Sequence, residues 1–168
     1  ASNPGLIVAD EPVSMLDVSL RAGVLRLLAE LRESRGLSLL YITHDLLSAR
    51  VVTDQILVLN QGRIVESGVT KHVLQHPTDP YTVQLLDAIP LPEPRQRRAR
   101  QILEGDVPSP MAPPSGCRFH TRCPHARERC RVEEPVLADD GHEHRTACHF
   151  WPEIAATEGR LAAGTSAI

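Results

Sequence analysis

Lysine is nearly absent from this sequence of 168 residues: Lys71 stands alone among 18 cationic side chains, the rest being arginine, and it has no glycine-rich context. That imbalance reads as coding bias, not as chemistry. Aromatic residues make up only 3%, so any core is aliphatic. No apolar run approaches the roughly 18 to 20 residues that cross a bilayer, and no basic-then-apolar start resembles a signal peptide, so a soluble, cytosolic chain is expected. A charge excess is missing too. With 18 Lys+Arg against 21 Asp+Glu the net charge is −3, which gives no electrostatic case for a nucleic-acid binder or a coat on anionic membrane. Cysteine is absent before position 117, and the sequence opens on Ala1 without a methionine. What is present, 42% hydrophobic residues, excludes collagen-like and wholly disordered classes and suits one globular domain, or a small domain with an appendage.

The apolar run Leu6 to Ala9 follows a turn-like Asn3-Pro4-Gly5 and suits a strand buried on both faces. Between Asp17 and Gly36 the residues Val18, Leu20, Val24, Leu25, Leu27, Leu28 and Leu31 recur at helical steps, with Asp17 as N-cap and Gly36 as stop. Leu37 to Ile42 reads as a second buried strand ending in Thr43-His44-Asp45. Strand, helix, strand within some forty residues is a βαβ unit, so an α/β fold with parallel strands is expected. A short helix over 45–52, a hairpin around Asn60-Gln61-Gly62, and helices near 70–75 and 81–89 follow. Pro90 to Gly116 holds seven of the 14 prolines and the basic run Arg95 to Arg100, the mark of a connector. The expected organisation is a first domain over 1–89, a linker over 90–116, a small cysteine-rich module over 117–152 and a tail over 153–168 without a hydrophobic period, read as disordered.

Asp10 and Glu11 stand where a buried parallel strand ends, the place where open α/β sheets bind ligands. One carboxylate there can hold Mg²⁺ on a nucleotide while its neighbour deprotonates an attacking water, and His44 at the next strand end can contact a phosphate oxygen. An Asp-Glu pair at a strand end is commonly a solvated turn, and a lone histidine commonly structural. The conjunction carries the weight.

The stretch Leu6-Ile7-Val8-Ala9-Asp10-Glu11-Pro12-Val13-Ser14-Met15-Leu16-Asp17-Val18-Ser19 resembles the Walker B segment and D-loop of ABC-transporter ATPase subunits. Tyr41-Ile42-Thr43-His44-Asp45-Leu46 is similar to their switch-histidine loop, and Ile64-Val65-Glu66-Ser67-Gly68 to the strand that follows. Gly105 to Pro110 and Cys117 to Pro124 resemble the importer branch for oligopeptides, dipeptides or nickel. The resemblance covers about residues 1–150. It implies a partial P-loop NTPase domain that uses ATP and Mg²⁺, with Asp10 as the Mg²⁺-linked carboxylate, Glu11 as general base and His44 at the γ-phosphate. Ser14 to Asp17 would be the D-loop facing a second ATPase subunit, and Met15 departs from the small residue common there. The implied partners are transmembrane permease subunits and that second ATPase subunit, with no nucleic acid, and the implied place is the cytoplasmic face of the membrane, reached only through the permease.

The phosphate-cradling loop G-x-x-x-x-G-K-[S/T], the Leu-Ser-Gly-Gly-Gln signature and the glutamine loop of that family are missing and would precede Ala1. A C-terminal portion of a longer subunit, inactive alone, is therefore expected.

Cys117, Cys123, Cys130 and Cys148 fall in about thirty residues that cannot bury enough surface to fold unaided. The ATPase resemblance argues for a reducing compartment, which leaves metal over disulfides. Four thiolates suit structural zinc or an iron–sulfur cluster, and spacing looser than paired C-x2-C knuckles favours the cluster. Some ATPase subunits of this branch bind a four-iron four-sulfur cluster in such a module, and the resemblance implies the same here. Arg118, Arg122, Arg127, Arg129 and Arg131 either offset thiolate charge or form a solvated face; His120, His125, His142, His144 and His149 read as outer or surface groups. Two functions thus compete: the C-terminal part of an ATP-hydrolysing peptide-import subunit, or a metal-cluster or docking module with a vestigial nucleotide half.

Overall fold

A computed structural model of the chain describes residues 4–89, 108–109, 111–139 and 143–157. It is a mixed α/β protein of two compact units, Ala1–Ile56 and Leu57–Ile168. The first is the expected βαβ unit. Strand β1 (Leu6–Asp10) pairs in parallel with β2 (Ser38–Ile42), in a register that sets Asp10 opposite Ile42, and helix α1 (Val18–Arg35) crosses between them. Local chemistry sets the ends of α1. The Asp17 carboxylate accepts from the backbone N–H groups of Ser19 and Leu20, and Gly36 closes the helix at φ 61°, where a side chain is disfavoured. Asp45 caps α2 (Leu46–Val52) in the same manner. Val13, Leu25 and Val52 make the core, flanked by Leu16, Val24, Leu39 and Tyr41.

Two expectations for this unit need correction. The strands are covered on one face only: Ile7, Ala9, Leu39 and Tyr41 turn towards the helices, while Leu6, Val8, Leu40 and Ile42 stay 46–59% exposed. Among the described residues of the first unit no element lies over that second face. The stripe of α1 is also narrower than its apolar residues suggest. Val24, Leu25, Leu28 and Leu31 face inward at helical spacing, whereas Val18, Leu20 and Leu27 are exposed.

In the second unit, β3 (Gln55–Asn60) and β4 (Arg63–Val69) join through Gln61-Gly62 at φ 47° and 75°, a hairpin turn as expected. Helices α3 (Thr70–Gln75) and α4 (Pro80–Asp87) follow, then α5 (Glu128–Val132), β5 (Ala138–Asp139), β6 (Arg145–Thr146) and α6 (Trp151–Thr157). The sheet order is β3-β4-β6-β5, and β4 pairs antiparallel with β6 through Glu66 and Thr146. The cysteine-bearing segment thus shares a sheet with β4, and the compact units divide after Ile56, not at the proline-rich stretch. Most of that stretch, 90–107 and 110, lies outside the described residues; 108–109 and 111–116 run without helix or strand.

The tail also differs from expectation. Residues 151–157 form α6, anchored by Trp151, Ile154 and Ala155 at helical spacing, by the Arg127–Glu153 ion pair at 2.8 Å, and by Arg127 stacked 4.1 Å over the neighbouring Phe150 ring. Such a short apolar stripe gains order only from partners distant in sequence. Residues 158–168 lie outside the described residues.

Gly68 allows the close approach of β6. A Cβ there would lie 2.9 Å from the Glu143 carbonyl oxygen and 3.2 Å from the His144 Cα. Backbone, not a flexible side chain, would have to move. Gly68→Ala is expected to destabilise the second unit by about 1–3 kcal/mol, the usual range for overpacking, read as a lower urea midpoint; an unchanged midpoint would refute the contact.

Candidate functional site

The parallel pairing of β1 and β2 brings their carboxyl ends side by side. The Glu11 backbone N–H continues the ladder to the Ile42 carbonyl at 2.9 Å, and Glu11 itself adopts φ 46°, which is uncommon for a non-glycine residue. That bend aims its carboxylate at the next strand end. Glu11 Oε1 accepts from the backbone N–H of His44 at 3.0 Å and lies 2.7 Å from His44 Nδ1, so Nδ1 carries the proton in this contact. The contact with His44 is the main cause that holds the Glu11 carboxyl below the usual carboxylate range, against a smaller desolvation effect.

The other residues singled out in the first unit lie around this pair. Asp10 is exposed at the last position of β1. The Ser14 hydroxyl donates to the Glu11 carbonyl at 3.0 Å, which shapes the turn after the strand, and Asp17 spends its carboxylate on capping α1. Met15 is 96% exposed, so its bulk meets no neighbour in this chain.

In the second unit all four cysteines line one small cavity of about 20 Å³, walled by Phe119, Phe150 and Ile154, and they are joined there by Asp79. All four are free thiols. Burial pushes Cys117 up, and it pushes Cys123 and Cys148 up to about 12. Among the described residues, no three His, Cys, Asp or Glu side chains converge as a set able to hold one metal ion. Of the arginines, Arg127 pairs with Glu153, Arg129 with Glu133 and Arg131 with Glu128, so these three serve the acidic neighbours of a solvated face. His120, His125 and His149 border the cavity, while His142 lies outside the described residues.

Of the two places expected for His144, outer group or surface, the surface one is excluded. His144 is fully buried, with Nε2 2.7 Å from Glu66 Oε1, an oxygen that also accepts from the Thr78 backbone N–H at 2.7 Å and the Thr78 hydroxyl at 2.8 Å. The Thr146 hydroxyl closes the network on Thr78. Asp79, the cap of α4, is pushed up to about 8, chiefly by burial and then by the nearby Glu66 charge, against hydrogen bonds from the Tyr81 and Thr82 backbone. Glu66 and Asp79 escaped the sequence reading. The available signals were a charge inside the apolar run of β4, and an Asp-Pro pair opening a helix.

Comparison with known proteins places this arrangement. The family described as oligopeptide/dipeptide transporter, C-terminal region, matches residues 65–130. Over those residues the chain is similar to that transporter C-terminal region. It is 48% identical over 145 residues to a Brucella ovis protein whose name assigns it peptide import and ATP binding, covering 86% of this chain and 46% of the relative. The oligopeptide transport ATP-binding protein OppF of Salmonella typhimurium is 46% identical over 147 residues, covering 86% of this chain and 44% of the relative. A probable peptide ABC transporter ATP-binding protein of Sinorhizobium fredii is 44% identical over 156 residues, 93% of this chain and 44% of that protein. The chain spans about half the length of the curated relatives it matches. Among its described residues no helix is long and apolar enough to cross a membrane.

Proposed function

We propose that the chain forms part of the ATP-hydrolysing subunit of an ABC importer for peptides, a P-loop NTPase held at the cytoplasmic membrane face by permease subunits. The observation that carries this reading is the Glu11–His44 contact at adjacent carboxyl ends of two parallel strands. Exposed Asp10 beside it is free to hold Mg²⁺. Glu11 takes the proton of the attacking water as the new bond to the γ-phosphorus forms and the bond to the bridging oxygen breaks, with the leaving charge on the nucleoside diphosphate. His44 orients Glu11 through Nδ1, leaving Nε2 for a phosphate oxygen. The described residues supply this metal and water side; they include no glycine-rich phosphate cradle. Ser14, Met15 and Asp17 are exposed on a turn suited to meeting a second ATPase subunit, with Leu16 packed against the core. Names of the relatives, all ATP-binding and peptide-transport proteins, support the substrate class.

The cavity of four cysteines supports a second role for the same subunit, as holder of a four-iron four-sulfur cluster. Cys117, Cys123, Cys130 and Cys148 line the same cavity, and four thiols in one lining are the donor set of such a cluster. Bound iron would supply the positive charge that thiols raised to about 12 need to ionise. One preparation tests both parts. The full-length subunit, purified without oxygen, is expected to hydrolyse ATP only with Mg²⁺ and to contain about four irons per chain. No turnover would overturn the hydrolytic reading; iron-free protein with stoichiometric zinc would overturn the cluster; iron without turnover would favour a docking module.

A further inference from the structure

We propose that Arg21 is a positioning residue that couples the turn at 14–17 to the histidine loop at 43–45; the inference rests on the hydrolytic reading of Glu11 and His44. Arg21 lies one turn into α1 with its side chain 37% exposed, and its guanidinium reaches two separate segments. Nη2 donates to the Leu16 carbonyl at 3.5 Å, and Nη1 donates to Asp45 Oδ2 at 3.4 Å. Leu16 immediately precedes the cap of α1, and Asp45 immediately follows His44. Each anchor is itself held. Asp17 Oδ1 caps two N–H groups of α1. The other oxygen of Asp45 caps α2, the Asp45 N–H donates to the Thr43 hydroxyl, and the Asp45 carbonyl accepts from Ser48, whose hydroxyl in turn accepts from Tyr41.

The histidine loop is therefore fastened from behind by β2 and α2, and from the side by one arginine that also grips the other turn. A displacement of the 14–17 turn is passed through a planar fork to the residue next to His44, and from His44 to the Glu11 carboxylate 2.7 Å away. Lysine would not reproduce the fork, because a single ammonium cannot satisfy both acceptors along fixed directions. Stability does not explain the pair. Half-exposed ion pairs contribute little, so its effect is on geometry.

The test uses the full-length subunit and reads kcat and KM for ATP separately. Arg21→Met is expected to lower kcat about five- to tenfold with KM unchanged within about twofold, because the variant leaves the phosphate-binding side intact. Asp45→Asn, which keeps a capping side chain, is expected to match it. The double variant should be no slower than the slower single one, since both remove one link. Arg21→Lys should recover only part of the loss, and melting temperatures should agree within about 2 °C. Unchanged kcat in both single variants, additive losses, or a rise in KM that accounts for the change would each overturn the coupling. Glu11→Gln serves as the control. If it abolishes turnover while Arg21→Met and Asp45→Asn do not slow it, the coupling alone fails; if it leaves turnover intact, the hydrolytic reading and the coupling built on it both fail.

Discussion

Replacing Glu11 by glutamine is expected to lower ATP turnover of the full-length subunit at least about 100-fold while ATP still binds, the range for loss of a general base. The substitution is close to isosteric. A glutamine carbonyl still accepts the His44 backbone N–H, now at 3.0 Å, and the proton on His44 Nδ1, so the two strand ends stay joined. What disappears is the site that receives the water proton. The same hydrogen bond to His44 holds the Glu11 carboxyl below the usual carboxylate range. Glu11 is thus ionised at neutral pH, the form the proposed role requires. His44→Ala should accordingly cost less than Glu11→Gln, because it removes aim but not the acceptor. Filter binding of labelled ATP and a coupled turnover assay separate the two effects. Retention of more than about a tenth of the turnover in the Glu11 variant would remove Glu11 from the role of base.

Local signals in the sequence reached far into the first unit. Asp17 and Gly36 bound α1, Asp45 starts α2, and the apolar runs before Asp10 and Thr43 mark two parallel strands, because caps and strand ends depend on residues only a few positions apart. The neighbouring placement of the two strand ends was legible for the same reason, since a βαβ unit sets its strands parallel; the hydrogen bond between Glu11 and His44 was not, because it depends on the bend at Glu11. Burial was harder to read. An apolar run states what a strand can cover, not whether an element covers it, and Leu6, Val8, Leu40 and Ile42 remain half exposed. The second unit depends on pairings between residues up to 80 positions apart. Gly68 accepts a backbone from residues 143–144, and α6 is ordered by Arg127 and by burial of Ala155. No window of ten or fifteen residues contains those partners, so the cysteine segment looked separate although it completes the sheet of β4.

The largest loss of stability is expected at Glu66 and His144. Both side chains are 0% exposed, and one Glu66 oxygen receives three donors, from His144 and from the backbone and hydroxyl of Thr78. His144→Ala removes one donor from a carboxylate with no access to water. Glu66→Ala leaves the Thr78 N–H and hydroxyl and the His144 ring without their acceptor. Breaking a buried pair from one side costs about 3–5 kcal/mol, because the desolvated survivor is left uncompensated. For a chain of this size that is a fall in melting temperature of roughly 10 °C. Glu66→Gln is the informative contrast. Its carbonyl oxygen can still accept all three donors, so a loss well below that of Glu66→Ala would assign the effect to hydrogen bonding, and an equal loss would assign it to charge. The consequence reaches the cysteines. Thr146, opposite Glu66 in the sheet, lies two residues before Cys148, and Asp79 next to Thr78 lines the same cavity, so loosening the network displaces two sides of that cavity together. Iron content, where the cluster is present, should therefore fall in His144→Ala in step with the melting temperature; a full iron complement in a strongly destabilised variant would show that the cavity is held independently of the Glu66 network.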